Sequence, residues 1–518
     1  MTREGRSSYR RVAPSIDTQR SSHSESPEIS LPRSVSTTWA VGAHALAATL
    51  LCTTVAMCVL PGSPPHGDVV AAVYLGATLA ALLGAAFSPR LGALSLIVAF
   101  YFFAFVAVPT MVQIRRGHFP FASTYNDEEL VRGFIIVSLA QLALLMGVAA
   151  AGLGSKSRRP SSLSTSSATE AEVARARGLA IAFTGVSAAF AAMAGPAHVF
   201  TARFDDARAT LGDEGMSAQL VHVARAFVLV ALLLSILARR LAPSPESRRR
   251  ARNVLILTTC AVLVIDFPPA LPRFQLLALV LAVLVLVIDF RRPGVKLVFS
   301  AAAAVFLLFV FSAIKDLRNG LTLEATTRER LGDYLITADF DSFKQVVDTT
   351  VYFANAPQRA GENFLGAALF WVPRSLWPGK PLHTGAIVSE GLGYPYNNVS
   401  SPLPAEGYAS WGLAGAVVVM ALIGLLIGRL EGRGGGKAMG TAIPRWISYA
   451  VATGYATILL RGALNAVAPM IFTAFVLAMA VNLAFRRRKP EASRTRKRPQ
   501  SRPELSLATT PVREAHHQ

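Results

Sequence analysis

Charge and cysteine are both scarce in this chain. Asp, Glu, Lys and Arg together make up 16% of its 518 residues against 52% hydrophobic, and the three cysteines, Cys52, Cys58 and Cys260, all lie inside apolar runs. None stands in a polar stretch where an oxidising compartment could pair it, so a disulfide-stapled scaffold is excluded and the three read as packing residues. The chain has no P-loop, no GxGxxG turn, no CxxC pair and no HExxH helix, the usual sequence grounds for a nucleotide cofactor or a zinc site. Asp339 and Asp341 form a spaced acidic pair, but polar loops show such spacing by chance, and neither a metal nor another cofactor is expected. No internal repeat and no pair of broken helices in matching halves is visible, features that would favour a secondary transporter. Nor is a signal peptide expected, because 38 mostly polar residues precede the first apolar run at Trp39.

What is present is a series of apolar runs close to the roughly 20 residues that cross a hydrocarbon core. They cover Trp39 to Leu60, Val69 to Phe87, Leu91 to Val108, Leu130 to Gly152, Gly178 to Phe200, Gln219 to Ala238, Val254 to Phe267, Phe274 to Phe290, Leu297 to Ile314, Gly412 to Leu430, Trp446 to Gly462 and Val467 to Phe485. The expected fold is an all-α integral membrane protein with about twelve transmembrane helices and a large external loop between the ninth and tenth. Residues 1–38 form an N-terminal tail, 39–314 the first nine helices, 315–411 the loop, 412–485 the last three helices and 486–518 a basic tail. The run from Val254 is short, so with its successor it reads as a tight or partly re-entrant hairpin turning at Pro268 to Arg273. Both tails and Ser155 to Thr169 are rich in Ser, Pro and Arg and are expected to be disordered.

The formal charge is +20, with 43 Arg and eight Lys. In a soluble protein that excess would suggest a nucleic-acid partner, but here the charges fall between apolar runs. With the N-terminus inside, the inner segments hold Arg158, Arg159, Arg239, Arg240, Arg248 to Arg250, Arg252, Arg291, Arg292 and the tail from Arg486. This asymmetry predicts an even number of crossings and two cytoplasmic termini, with no nucleic acid as partner. The basic tail reads as a stop-transfer anchor or a contact with anionic lipids.

The stretch 315–411 is too long for a connector and nearly balanced, with eight Lys and Arg against ten Asp and Glu. Within it, Pro373-Arg374 and Trp377-Pro378-Gly379-Lys380-Pro381 combine stiff prolines, an interfacial tryptophan and two cations, a composition that holds charge at a defined depth. Other outer-side cations are Arg203, Arg208, Arg273, Arg318, Arg328 and Arg330. Guanidinium pairs with phosphate oxygens through forked hydrogen bonds, so the set suits a diphosphate on a lipid carrier. The plainer alternative is surface ion pairing, for example Arg203 with Asp205 or Asp206. Glu406, next to a span, is placed to act as a general base or to orient an arginine. His383 is a second candidate base, although a lone loop histidine is more often simply solvated. Arg225 and Arg461, within or at the ends of apolar runs, are expected to face the interior or snorkel to an interface.

The segment Pro373 to Pro381, Pro-Arg-x-Leu-Trp-Pro-x-Lys-Pro, and the stretch Glu406 to Gly415 resemble the O-antigen polymerases, or oligosaccharide repeat-unit polymerases, a family of bacterial multi-pass membrane glycosyltransferases. Ala405 stands where the family pattern has glycine and Trp411 where it has phenylalanine. The resemblance implies metal-independent transfer of a glycan from undecaprenyl diphosphate to the terminal sugar of another lipid-linked repeat unit. It implies catalytic roles for Arg374, Glu406 and His383, and substrate contacts by Arg203, Arg208, Arg273, Arg318, Lys380 and Trp377. Implied partners are the lipid-linked oligosaccharide, membrane lipids, a chain-length regulator and a flippase. An O-antigen ligase-like enzyme that uses another acceptor, or a transporter of the same lipid-linked glycan, would draw on similar residues.

Overall fold

A computed structural model describes residues 33–59, 66–153, 168–201, 216–268, 270–290, 292–310, 332–397, 399–433 and 442–486. All regular structure among them is helical. In chain order the elements are α1 (Arg33–Val59), α2 (Gly67–Phe87), α3 (Ala93–Arg116), α4 (Asp127–Leu153), α5 (Glu170–Ala194), α6 (Met216–Arg240), α7 (Pro245–Ile265), α8 (Arg273–Val287) and α9 (Pro293–Val305). They continue with α10 (Ser342–Phe353), α11 (Glu362–Ala368), α12 (Thr384–Gly391), α13 (Leu403–Arg433), α14 (Ala442–Arg461) and α15 (Leu464–Ala484). Eight of these, α1 to α6, α13 and α15, are long and apolar enough to cross a membrane. Only a helix satisfies its own backbone groups in hydrocarbon, which is why apolar runs of this length adopt no other form.

Several boundaries depart from the sequence expectation for local reasons. α7 begins at Pro245, nine residues before the apolar run: Ser244 caps it through Ser247 N–H at 3.2 Å, Pro245 fits the first turn, and arginine is a good helix former. α3 runs past Val108 to Arg116 through a π turn over Phe102–Ala107. The helix expected to start at Gly412 begins at Leu403, and Trp411 and Gly412 leave helical geometry, with Gly412 at φ +62°, so Leu403 to Ser410 form a separate short arm.

Glycines set the closest packing. A Cβ at Gly424 would strike Leu144 O, and one at Gly428 would lie 2.8 Å from Val148 O. The partners rise together along both helices, so α4 and α13 run parallel with their backbones in contact, as small-residue interfaces in membranes allow. α6 and α7 are antiparallel, with Arg225 beside Asp266 and Ser235 Oγ 2.8 Å from Thr258 Oγ1.

The two ends of the bundle differ. At one, the turn between α2 and α3 is held from both sides. Lys296 of α9 donates to Ala85 O, Ser88 O and Leu91 O at 3.1, 2.6 and 2.7 Å, while Glu431 of α13 accepts from Ser95 N at 2.9 Å and from Gly92 N. A cation thus sits at a helix C-terminus and a carboxylate at a helix N-terminus, each matched to the dipole it meets. The arginine-rich start of α7 lies at this end. At the other, residues 332–397 and 399–402 fold over the bundle as a polar cap, and ten of the twelve residues of α10 are buried.

Candidate functional site

Glu406 lies in the short arm Leu403 to Ser410 and is fully buried. Its Oε2 accepts Asn363 Nδ2 and Thr384 Oγ1, both at 2.5 Å, and its Oε1 accepts the Leu464 N–H at 2.9 Å, the first turn of α15. Arg359 donates to Thr384 Oγ1 and to Leu382 O, each at 3.0 Å. Burial lowers the Arg359 pKa, and Glu406 opposes that shift. The carboxylate therefore ties together α11, α12, α13 and α15. From sequence Glu406 is a candidate base or a partner that orients an arginine; in the structure its carboxylate meets Asn363, Thr384 and the Leu464 N–H, and it reaches Arg359 only through Thr384. Arg359, Asn363 and Thr384 were missed in the sequence because polar loop residues of these types carry no signal until the fold places them on one acid.

Lys380 donates to Phe370 O and Val372 O at 2.7 and 3.0 Å, closing the loop that starts at Trp371. Its pKa is lowered by burial and then by Arg374. Arg374 is exposed, donates to Lys380 O at 2.7 Å and has no carboxylate partner among the described residues. Trp371 and Leu376 flank it with 64% and 79% exposure, and Trp377 is half-buried. The Phe370 ring centroid is 6.3 Å from that of Phe472, and Ala367 packs on Leu464 and Ala468, so this segment lies along the side of α15. His383 caps α12, its Nδ1 accepting the Ala386 N–H at 3.0 Å. A neutral His383 then carries its proton on Nε2, and cannot take another there without changing form.

Arg273, at the start of α8, pairs with Asp339 at 3.0 Å. Arg461, at the end of α14, pairs with Asp341 at 2.9 Å, donates to Ala338 O at 2.6 Å and lies 4.4 Å from the centroid of the Phe274 ring. Asp339 and Asp341 thus each answer an arginine. Arg225 faces the interior, 3.5 Å from Asp266 and 2.9 Å from Gln275 Oε1, and so bridges the two sides of the proline turn that presents Arg273. In α10, Lys344 pairs with Asp348, which also accepts Tyr125 OH at 2.5 Å and Tyr394 OH at 3.0 Å.

Of the residues expected at the site, Lys380 and Arg374 share one loop, with His383 and Glu406 in the network beside it. Arg273 belongs to a separate ion-pair cluster. Arg203, Arg208, Arg318, Arg328 and Arg330 lie outside the described residues. No family model, curated protein or solved structure matches the chain.

Proposed function

We propose that this protein is a glycosyltransferase that polymerises lipid-linked oligosaccharide repeat units, binding the diphosphate of a polyprenyl carrier at Arg374. The supporting observation is the setting of Arg374: an exposed guanidinium without a carboxylate partner among the described residues, on a loop closed by Lys380 and flanked by exposed Trp371 and Leu376. An amphiphile with an anionic head and an apolar tail matches that combination, and interfacial tryptophan fixes its depth.

In the proposed reaction an acceptor hydroxyl attacks the anomeric carbon of the donor sugar while the bond from that carbon to the diphosphate oxygen breaks. The electron pair leaves on the diphosphate, where Arg374 stabilises it, and the diphosphate takes up the acceptor's proton. Glu406 acts through Thr384, Arg359 and Leu382 O to hold the loop that carries Arg374. Twelve crossings, the polar cap on the outer face of a bacterial cytoplasmic membrane and both termini inside complete the proposal. The parallel course of α4 and α13 and the arginine-rich opposite end support this arrangement.

The test is incubation of the purified protein with the cell's own lipid-diphosphate-linked repeat unit in the presence of a chelator. The expected result is a ladder of longer lipid-linked glycans. Transfer to a different acceptor would replace polymerase with ligase, and flux across vesicles without new bonds would replace both with transport.

A further inference from the structure

We propose that the Asp341, Gln345 and Asp348 side of α10, walled by Tyr394 and Tyr396 with Ser401 at its edge, is a subsite for an uncharged sugar ring held through its hydroxyl groups. The inference rests on the proposed glycan substrate and names where its carbohydrate binds.

Asp341 immediately precedes α10, and steps of four and three residues place 341, 345 and 348 on one side of that helix. Both ends of the stripe are carboxylates whose charge is already balanced. Asp341 pairs with Arg461 and accepts Ser400 Oγ at 2.7 Å; Asp348 pairs with Lys344 and accepts two tyrosine hydroxyls. A lining neutralised in pairs attracts no phosphate, but it offers many hydrogen-bonding atoms to a polyhydroxyl ligand.

Beside those carboxylates lie polar atoms with no partner among the described residues. Gln345 is 2% exposed and its Nε2 meets no acceptor there; Ser401 is 1% exposed and its Oγ meets no partner there; the buried Tyr396 hydroxyl is likewise unpaired among them. A buried donor left unpaired destabilises a fold, so a ligand that supplies acceptors here would relieve three such groups at once. Burial, followed by the nearby carboxylates Asp348 and Asp341, pushes the Tyr396 hydroxyl up to about 12, so it remains a donor at neutral pH. The Tyr394 and Tyr396 rings stack at 5.5 Å and 19°, and Lys344 Nζ lies 4.4 Å from the Tyr394 centroid, so the tyrosines meet the stripe through a hydroxyl, Tyr394 OH on Asp348, and not through an open ring face. Phe121 holds this wall in place, stacking on Tyr396 at 4.1 Å from a left-handed backbone at φ +64°. A bulky residue in that region is strained, so the packing of Phe121 on Tyr396 is held at a cost to the backbone.

The probe is the reducing oligosaccharide released by mild acid from the cell's own lipid-linked glycan, offered to the full-length protein in lipid nanodiscs and followed by calorimetry. Gln345→Met and Ser401→Ala should each weaken binding at least tenfold while leaving thermal stability equal or higher, because each removes an unpaired polar group. Wild-type binding strength in both variants would reduce these atoms to packing defects and overturn the subsite, as would no binding to the unaltered protein. A photoreactive derivative of the same sugar needs no variant: labelling of peptides spanning 341–348 or 394–401 is expected, and labelling confined elsewhere refutes the assignment. A ladder with unchanged sugar binding in the variants would sink the subsite and spare the glycosyltransferase. Sugar binding lost in the variants without any ladder would do the reverse.

Discussion

At the scale of single residues, Arg374 and Glu406 make opposite demands. Arg374 is exposed and would work through its own charge, so Arg374→Ala is expected to lower polymer formation by two orders of magnitude or more in a protein that inserts and melts normally. Arg374→Lys should recover only part of that activity, since ammonium lacks the forked geometry. Full activity in the alanine variant would remove the central claim. Glu406 is buried and meets three donors. In Glu406→Gln one of those donors faces an amide N–H, and a loss of about 2–4 kcal/mol in stability is expected. Because Glu406 is proposed to hold the loop that carries Arg374, the surviving activity should keep the parent pH profile, and a shifted profile would make it a base. The sequence brought both residues to notice by charge and by motif. It could not separate their roles, because burial and the identity of the three donors depend on α11, α12 and α15 meeting at one point.

At the scale of elements, the turn between α2 and α3 is fixed by groups more than 200 residues away. Lys296 answers two carbonyls at the end of α2 and a third, Leu91 O, in the turn, and Glu431 answers two N–H groups at the start of α3. Lys296→Met would orphan those carbonyls, and we expect about 3 kcal/mol of destabilisation, read as a lower melting temperature in detergent. An unchanged melting curve would show that water replaces the lysine. Gly424→Leu should have a stronger effect, because a side chain there meets the backbone of α4, and loss of the monodisperse folded species on size exclusion is the expected readout. Helix positions were legible from the apolar runs, while α7 and the Leu403 arm were misjudged at their boundaries. There a cap, charged residues that still form helix, and a kink decided the outcome, and hydropathy sees none of these.

At the scale of the whole molecule, the arginine-rich start of α7 and the polar cap lie at opposite ends, and the proposed topology puts the first inside and the second outside. In a background with Cys52, Cys58 and Cys260 replaced, Ser375→Cys in intact cells freed of their outer barrier should react with a membrane-impermeant maleimide. Glu246→Cys should react only after the membrane is opened. The reverse pattern would invert the protein and remove any outer-face chemistry.

Sequence by itself determined that this chain is built of membrane-length helices, because hydrocarbon leaves a backbone no other way to satisfy its N–H and C=O groups. It also singled out the loop bearing Arg374 by its prolines, tryptophan and cations. Only the tertiary structure decided which charges pair: Arg273 with Asp339, Arg461 with Asp341, Lys344 with Asp348 and Arg225 with Asp266, with Arg374 left on the surface. Ion pairing depends on separations of a few ångströms between distant parts of the chain, and composition and spacing carry no record of those distances.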